Sequence, residues 1–146
     1  MTKEQLRELR IGCYVFAKDV RPMFPHSQKR TYYWEVRWLD EYWLRSVLCF
    51  GNDWVEPIPL TEQLLDAFPD LCKNDDGTYE IVGTPFHLAT LYDGSWSVET
   101  QDLTGISRVC YLHQLQNVYY DITGAEMSCH MVNKYAEYDG KKDKGK

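Results

Sequence analysis

The 146-residue sequence has no apolar run near eighteen residues, which argues against a membrane-spanning helix. Its opening, Met1-Thr-Lys-Glu-Gln-Leu-Arg7, lacks the apolar centre of a secretory signal, so the expected location is the cytoplasm. Cysteine is sparse and unpaired. Five stand at 13, 49, 72, 110 and 129, an odd count with no CxxC spacing, which argues against a disulfide framework and a zinc site. Cys13, Cys49 and Cys110 lie within apolar stretches, the usual setting of a buried structural thiol. A glycine-rich phosphate loop, GxSxG, HExxH and any internal repeat are missing. Four scattered histidines form no triad. Asp75-Asp76 falls in a Lys-Asn-Asp-Asp-Gly turn, where carboxylates are ordinarily solvated. No catalytic residue, metal or cofactor is expected.

Hydrophobic residues make up 44% of the chain, enough for the core of one domain. That domain is expected over 1–138, with 139–146 a disordered basic tail. Charge is uneven. Residues 1–50 carry nine basic and six acidic side chains, whereas 51–138 carry three and fourteen. The acidic second half disfavours nucleic acid there and favours a basic partner, or serves solubility alone.

The spacing predicts an α+β fold: an N-terminal β-rich part, a short helix, an antiparallel β-meander, and a C-terminal helix packed on the sheet. Thr2 and Gln5 form a capping box for a helix over Lys3 to Leu9. Gly12 to Lys18 reads as a strand, and Val20 to Arg30, with Pro22 and Pro25, as a loop. Over Thr31 to Phe50, apolar residues alternate in two runs, which predicts two strands joined by a three-residue loop, Leu39 to Glu41. That register sets Val36 opposite Leu44 and Glu35 opposite Arg45. Thr61 caps a helix from Glu62 to about Phe68. Asp93-Gly94 marks a two-residue hairpin pairing Leu91 with Trp96 and Ala89 with Val98, with His87 near Thr100. Ile106 to Cys110 is a last strand.

The clearest helix is Tyr111 to Gly124. Leu112, Leu115, Tyr119 and Ile122 fall on one face, widened by Val118, and Gly124 ends it. On its polar side His113, Gln114, Gln116 and Asn117 are either a solvated face or a recognition strip. The 31–50 region gives a second candidate surface, with Tyr33, Glu35, Arg37, Trp43 and Arg45 sharing a mixed face. Tryptophan, tyrosine and arginine dominate protein hot spots; aromatics beside arginines also stack bases and hold phosphates. The plain alternative is a covered face with Arg37 stacked on Trp43. The partner-binding residues singled out are Tyr33, Arg37, Trp43, Arg45, Gln114 and Asn117.

Three segments carry a resemblance: Leu9-Arg-Ile-Gly-Cys-Tyr-Val15, Val55-Glu-Pro-Ile-Pro-Leu-Thr-Glu62, and Leu112-His-Gln-Leu-Gln-Asn-Val-Tyr119 running on to Thr123-Gly-Ala-Glu126. In order and content the chain resembles a family of small uncharacterised proteins of gut anaerobes and their phages and mobile elements. It departs from that pattern at Cys13, where a polar residue is common, and in a longer aromatic-rich insertion over 21–50. The resemblance implies no activity. It implies a phage- or mobile-element setting, in which small accessory proteins bind host factors, defence proteins included. The expected function is therefore a non-enzymatic protein-binding accessory protein, an inhibitor of a host defence system being the form that setting suggests. The alternative is a nucleic-acid-binding accessory protein using 29–45. A homodimer is compatible with the abundance of aromatics; no heptad register demands one.

Overall fold

The structure, a computed structural model, describes residues 1–22, 30–50, 52–100, 105–129 and 132. Helix α1 covers Lys3–Arg7. Thr2 caps it through the expected box, its side chain accepting from Gln5 N while the Gln5 side chain accepts from Thr2 N. Strand β1, Tyr14–Pro22, pairs antiparallel with β2, Arg30–Trp38, from Tyr14 opposite Trp38 to Pro22 opposite Arg30. Regular structure therefore reaches further into 20–30 than the prolines suggested. A proline at a strand's last position interrupts no following ladder, so Pro22 is tolerated there. The rest of that expected loop, 23–29, lies outside the described residues, as do the tail at 139–146 and Gly51 of the turn expected at 51–53. Strand β3, Val55–Glu56, completes a three-stranded sheet in the order β2-β1-β3.

The main correction falls on residues 41–50. They are not the second strand of a hairpin but helix α2, Glu41–Phe50. The strand partner of 30–38 is β1 instead. Two local causes favour the helix. The Asp40 carboxylate accepts from Trp43 N at 2.8 Å, which satisfies an otherwise orphaned donor. Glu41 and Arg45 stand one turn apart and form an ion pair at 2.8 Å. Trp43, Leu44 and Val47 then turn inward together at helical spacing. Period-two alternation of apolar residues there was real, but the period-3.6 pattern with a cap prevails.

After a 3-10 turn at Asn52–Trp54, Thr61 caps helix α3, Glu62–Asp66, as expected, accepting from Leu64 N at 3.2 Å. The meander follows as a five-stranded antiparallel sheet in chain order: β4 Leu71–Lys73, β5 Tyr79–Ile81, β6 Phe86–Thr90, β7 Trp96–Thr100 and β8 Gly105–Val109. Strand β4 had no sequence-based expectation. The β6–β7 register differs by one residue from the expected one. Thr90 pairs with Trp96 and Leu88 with Val98, so neither Leu91–Trp96 nor Ala89–Val98 forms. The loop has three residues, Tyr92-Asp93-Gly94: Leu91 N donates to Ser95 O at 2.8 Å and Gly94 N to Leu91 O at 3.0 Å. Gly94, at φ +87°, takes the left-handed position this loop needs. The Asp93 carboxylate fixes the exit by accepting from the Ser95 amide and hydroxyl. The shift buries Leu88 with Val98 and moves His87 opposite Glu99.

Helix α4, Leu112–Thr123, ends on Gly124 at φ +73°. Its Leu112, Leu115 and Tyr119 join Leu88, Trp96, Val98 and Val109 in the larger core cluster. Each such side chain contributes up to about 1.5–3 kcal/mol on burial. The N-terminal sheet lies between two clusters. Tyr14, Phe16, Trp34 and Val36 face the larger one; Cys13, Val15 and Ala17 face a smaller one with Leu39, Val47 and Val55. That two-sided burial follows the alternation of side chains along a strand. Met127 and Val132 extend the core as expected; Met131 lies outside the described residues. Cys13 and Cys129 are buried, but Cys49 is exposed and Cys110 half-buried. Cys49 departs from expectation because residues 41–50 form a helix and it rides the outward side. No described helix is long and apolar enough to cross a membrane.

Candidate functional site

The polar side of α4 faces not solvent but the chain's own N-terminal segment. Gln116, wholly buried, donates from Nε2 to Gly12 O at 2.9 Å and accepts from Tyr14 N at 2.9 Å. Asn117 donates to Glu8 O at 2.7 Å and accepts from Arg10 Nε at 2.8 Å. Gln114 reaches back to accept from Cys110 N and Tyr111 N while donating to the Glu8 carboxylate. Arg10 adds an ion pair with Glu126 at 2.5 Å and lies 4.8 Å over the Tyr120 ring. Gly12 sits in this seam at φ +97°, where a Cβ would stand 3.3 Å from Glu126 Oε1, so the seam needs a residue without one. Two candidate residues, Gln114 and Asn117, are thus spent on holding residues 8–14.

His113 belongs to the same seam. Its side chain is fully buried, with Nε2 2.9 Å from Glu8 Oε1 and the ring stacked on Tyr111. Its Nδ1 is buried with no partner. Burial lowers its pKa, and the Glu8 carboxylate opposes that shift in part. Burial also raises the Cys13 thiol, and raises the Cys129 thiol to about 12 with help from Asp70. Both thiols therefore stay protonated and unreactive.

The other candidates cluster around α2. Arg37 pairs with Glu35 and places its guanidinium 4.4 Å over the Trp43 ring. The stack expected as the plain alternative is present, formed between a strand and a helix rather than between two strands. Arg45 pairs with Glu41 on the surface, and their side chains are about three-quarters exposed, at 74% and 75%. Tyr33 stands in β2 opposite Asp19; its side chain lies outside what is described. The same helix carries large apolar side chains on its outward side. Tyr42 is 73% exposed and Leu48 56%, with Trp38 just ahead of the helix at 48%. Reading 41–50 at period 3.6 from the Asp40 cap would have found them.

A concavity lies on the outer side of the meander. It is a groove of about 390 Å³ lined by Asn74, Asp76, Thr78, Glu80, Thr84, Pro85, Phe86 and His87. Cross-strand pairing sets His87 between Glu80 and Glu99, with Nε2 3.5 Å from Glu99 Oε2. The two imidazole–carboxylate pairs, on α4 and on β6–β7, are separate. Among the described residues no serine, threonine or cysteine is hydrogen-bonded to either imidazole, and no group of three or more His, Cys, Asp or Glu side chains could hold a metal. No protein-family model, curated protein or solved structure matches the chain.

Proposed function

We propose that this chain is a non-enzymatic accessory protein that acts by binding protein, and that the outward side of α2 is its contact surface. One observation carries this reading: Tyr42 and Leu48, large apolar side chains, stand in water on the same side of a helix as Arg45. A helix with its inward side already packed gains nothing from exposing them unless another surface covers them. Tyrosine and arginine are also the residue types that dominate protein hot spots. Against an enzyme reading, the fully buried His113 has no access to a substrate, and among the described residues no serine, threonine or cysteine is hydrogen-bonded to His87. The resemblance to small proteins of phages and mobile elements suggests a host factor, a defence protein among them, as a partner class.

The test is chemical cross-linking of the tagged chain in nuclease-treated lysate, with Tyr42→Ala/Leu48→Ala as control. Protein adducts, with host proteins or between copies of the chain, should form on wild type and vanish on the control. Adducts that need nucleic acid, and weaken steeply as salt rises, would favour the nucleic-acid alternative. Equal adducts on both chains would place protein binding elsewhere.

A further inference from the structure

We propose that residues 1–11 are a latch closed on α4, and that protonation of His113 opens it. The backbone sets the boundary of the latch. The β1–β2 ladder runs on past Tyr14 through Leu39 N to Cys13 O at 2.9 Å and Gly12 N to Leu39 O at 2.8 Å, and ends there. Gly12, at φ +97°, stands where the chain leaves the sheet. Within residues 1–11, α1 buries no side chain, and Leu9 is the one buried residue. The attachment is polar and concentrated. Among the described residues, the Met1 amine reaches Val55 O and Glu56. Every other hydrogen bond from residues 1–11 to a distant part of the chain ends on α4 between His113 and Asn117, or on Glu126. A segment with so few buried apolar contacts opens at lower free energy than the fold it lies on.

His113 is the member of this line that answers to pH. An ionised Glu8 carboxylate only accepts, so the Nε2 at 2.9 Å carries the ring proton and Nδ1 presents a lone pair. That Nδ1 is buried with no partner. A second proton must go there, and it makes a buried N–H without an acceptor, on a wholly buried ring stacked against Tyr111. The other groups around the seam do not offset this. Gln114 shares the Glu8 carboxylate and is neutral. Arg10 and Glu126 neutralise each other, and Cys13 keeps its proton. Lys3, Glu4 and Arg7 of α1 are exposed. Glu8 holds its bond to the neutral ring already, and its charge opposes the effect of burial only in part. With residues 1–11 lifted away, the ring meets water and regains an ordinary pKa of about 6.5. Protons therefore favour the open form below that value, increasingly down to the pKa of the closed form. Opening bares the amides of Gln114 and Asn117, while Gln116 stays on Gly12 O and Tyr14 N.

Hydrogen exchange of the full-length chain, read by peptide mass spectrometry and divided by the unstructured rate at each pH, tests this. Opening the latch exposes little surface, so exchange over residues 2–11 should depend weakly on sub-denaturing urea. Those residues should also be less protected than the meander strands at every pH. Between about pH 7.5 and about pH 5.5 their protection should fall about tenfold. His113→Gln, which can still donate to Glu8 but takes up no proton, should abolish that fall. His87→Gln, at the other imidazole–carboxylate pair, should keep it. Wild-type protection over residues 2–11 that ignores acid overturns the proposal. So does protection equal to that of the meander with the same urea dependence, because the segment would then leave only when the whole chain unfolds. Those two results need no variant, and they stand whether or not His113→Gln folds. An acid response that survives His113→Gln, or is lost in His87→Gln, overturns the proposal as well.

Discussion

Helices α4 and α2 are both amphipathic, and each uses its minor face against expectation. On α4 the polar side is bound to the chain itself, through Gln114, Gln116 and Asn117 against residues 8–14. On α2 the outward side carries apolar bulk, Tyr42 and Leu48, that the chain leaves bare. Polarity alone therefore does not mark a functional face. What separates the two is satisfaction. Each amide on α4 has its partners within the fold, while the exposed rings and methyls of α2 gain free energy only from a further surface. The same comparison reaches three segments, 9–15, 55–62 and 112–126, which meet at α4. Arg10 bonds Asn117 and Glu126, Leu112 N donates to Ile58 O at 2.8 Å, and Leu60 N donates to Cys110 O at 3.0 Å. Those segments build a scaffold, and the inward side of α2 packs on the first of them beside Leu9, Cys13 and Val15.

The comparison breaks most visibly at Gln116. Gln116→Leu keeps roughly the volume but leaves Gly12 O and Tyr14 N without their side-chain partner in a buried seam. Each such group costs about 1–3 kcal/mol, so a loss of about 2–4 kcal/mol is expected in urea denaturation, with m unchanged. A loss below about 0.5 kcal/mol would mean that the seam is dispensable and that α4's polar side is free for other use.

The seam also predicts a pH dependence. His113 has a lowered pKa, caused first by burial and opposed by Glu8. The unfolded chain therefore takes up a proton at this residue at higher pH than the folded one. Stability is full above about pH 6.5, the ordinary imidazole value, and falls as the pH drops from there through the folded pKa. The wild-type urea midpoint should decrease between about pH 7.5 and about pH 5.5, and His113→Gln should lose that slope. A midpoint that rises on acidification would mean that the Glu8 pairing outweighs burial.

Much of the scaffold was legible because its signals are local. The Thr2 and Thr61 caps, the Gly124 stop and the Leu112–Leu115–Tyr119 stripe each use residues within a few positions, and each appears in the structure. The misread parts depend on competition or on distance. Residues 41–50 satisfy both periods, and the Asp40 side-chain bond with the Glu41–Arg45 pair favours the helix. The β6–β7 register turns on whether Gly94 closes a two- or a three-residue loop, one residue that reassigns a whole face. Long-range pairing of β1 with β2, and the docking of residues 8–14 on α4, leave no periodic trace at all. The aromatic–arginine character of the 31–50 region was visible, but which of its aromatics face water followed from the helix and not from composition.

Thiol chemistry offers a sharper, smaller contrast across the same two regions. Cys13 and Cys129 are buried, with pKa values raised by that burial, whereas Cys49 and Cys72 are exposed. Alkylation of the native chain near pH 8, read by peptide mass spectrometry, should modify Cys49 and Cys72 first. Cys13 and Cys129 should react only at the rate of opening. Cys13 in particular reports the seam, because its Sγ lies 3.7 Å from Asn117 Oδ1. Gln116→Leu should speed its alkylation while leaving Cys49 unchanged. Equal acceleration at both sites would indicate global loosening instead.

The smallest expected effect on stability is the most informative about function. Tyr42→Ala and Leu48→Ala remove large side chains that the fold does not bury. Surface changes away from caps, charges and packing usually stay within about 0.5 kcal/mol. Neither substitution touches the Asp40 cap, the edge contact of the Tyr42 ring with Trp43 at 6.4 Å lies outside the buried core, and alanine is a better helix former than tyrosine. The double variant should therefore match wild type in urea midpoint and in its circular dichroism spectrum. If it also loses its protein contacts, the loss cannot be charged to unfolding, and the outward side of α2 is a working surface. If the double variant is instead destabilised by more than about 1 kcal/mol, Tyr42 and Leu48 contribute to the fold, and α2 resembles α4 in being committed to its own chain.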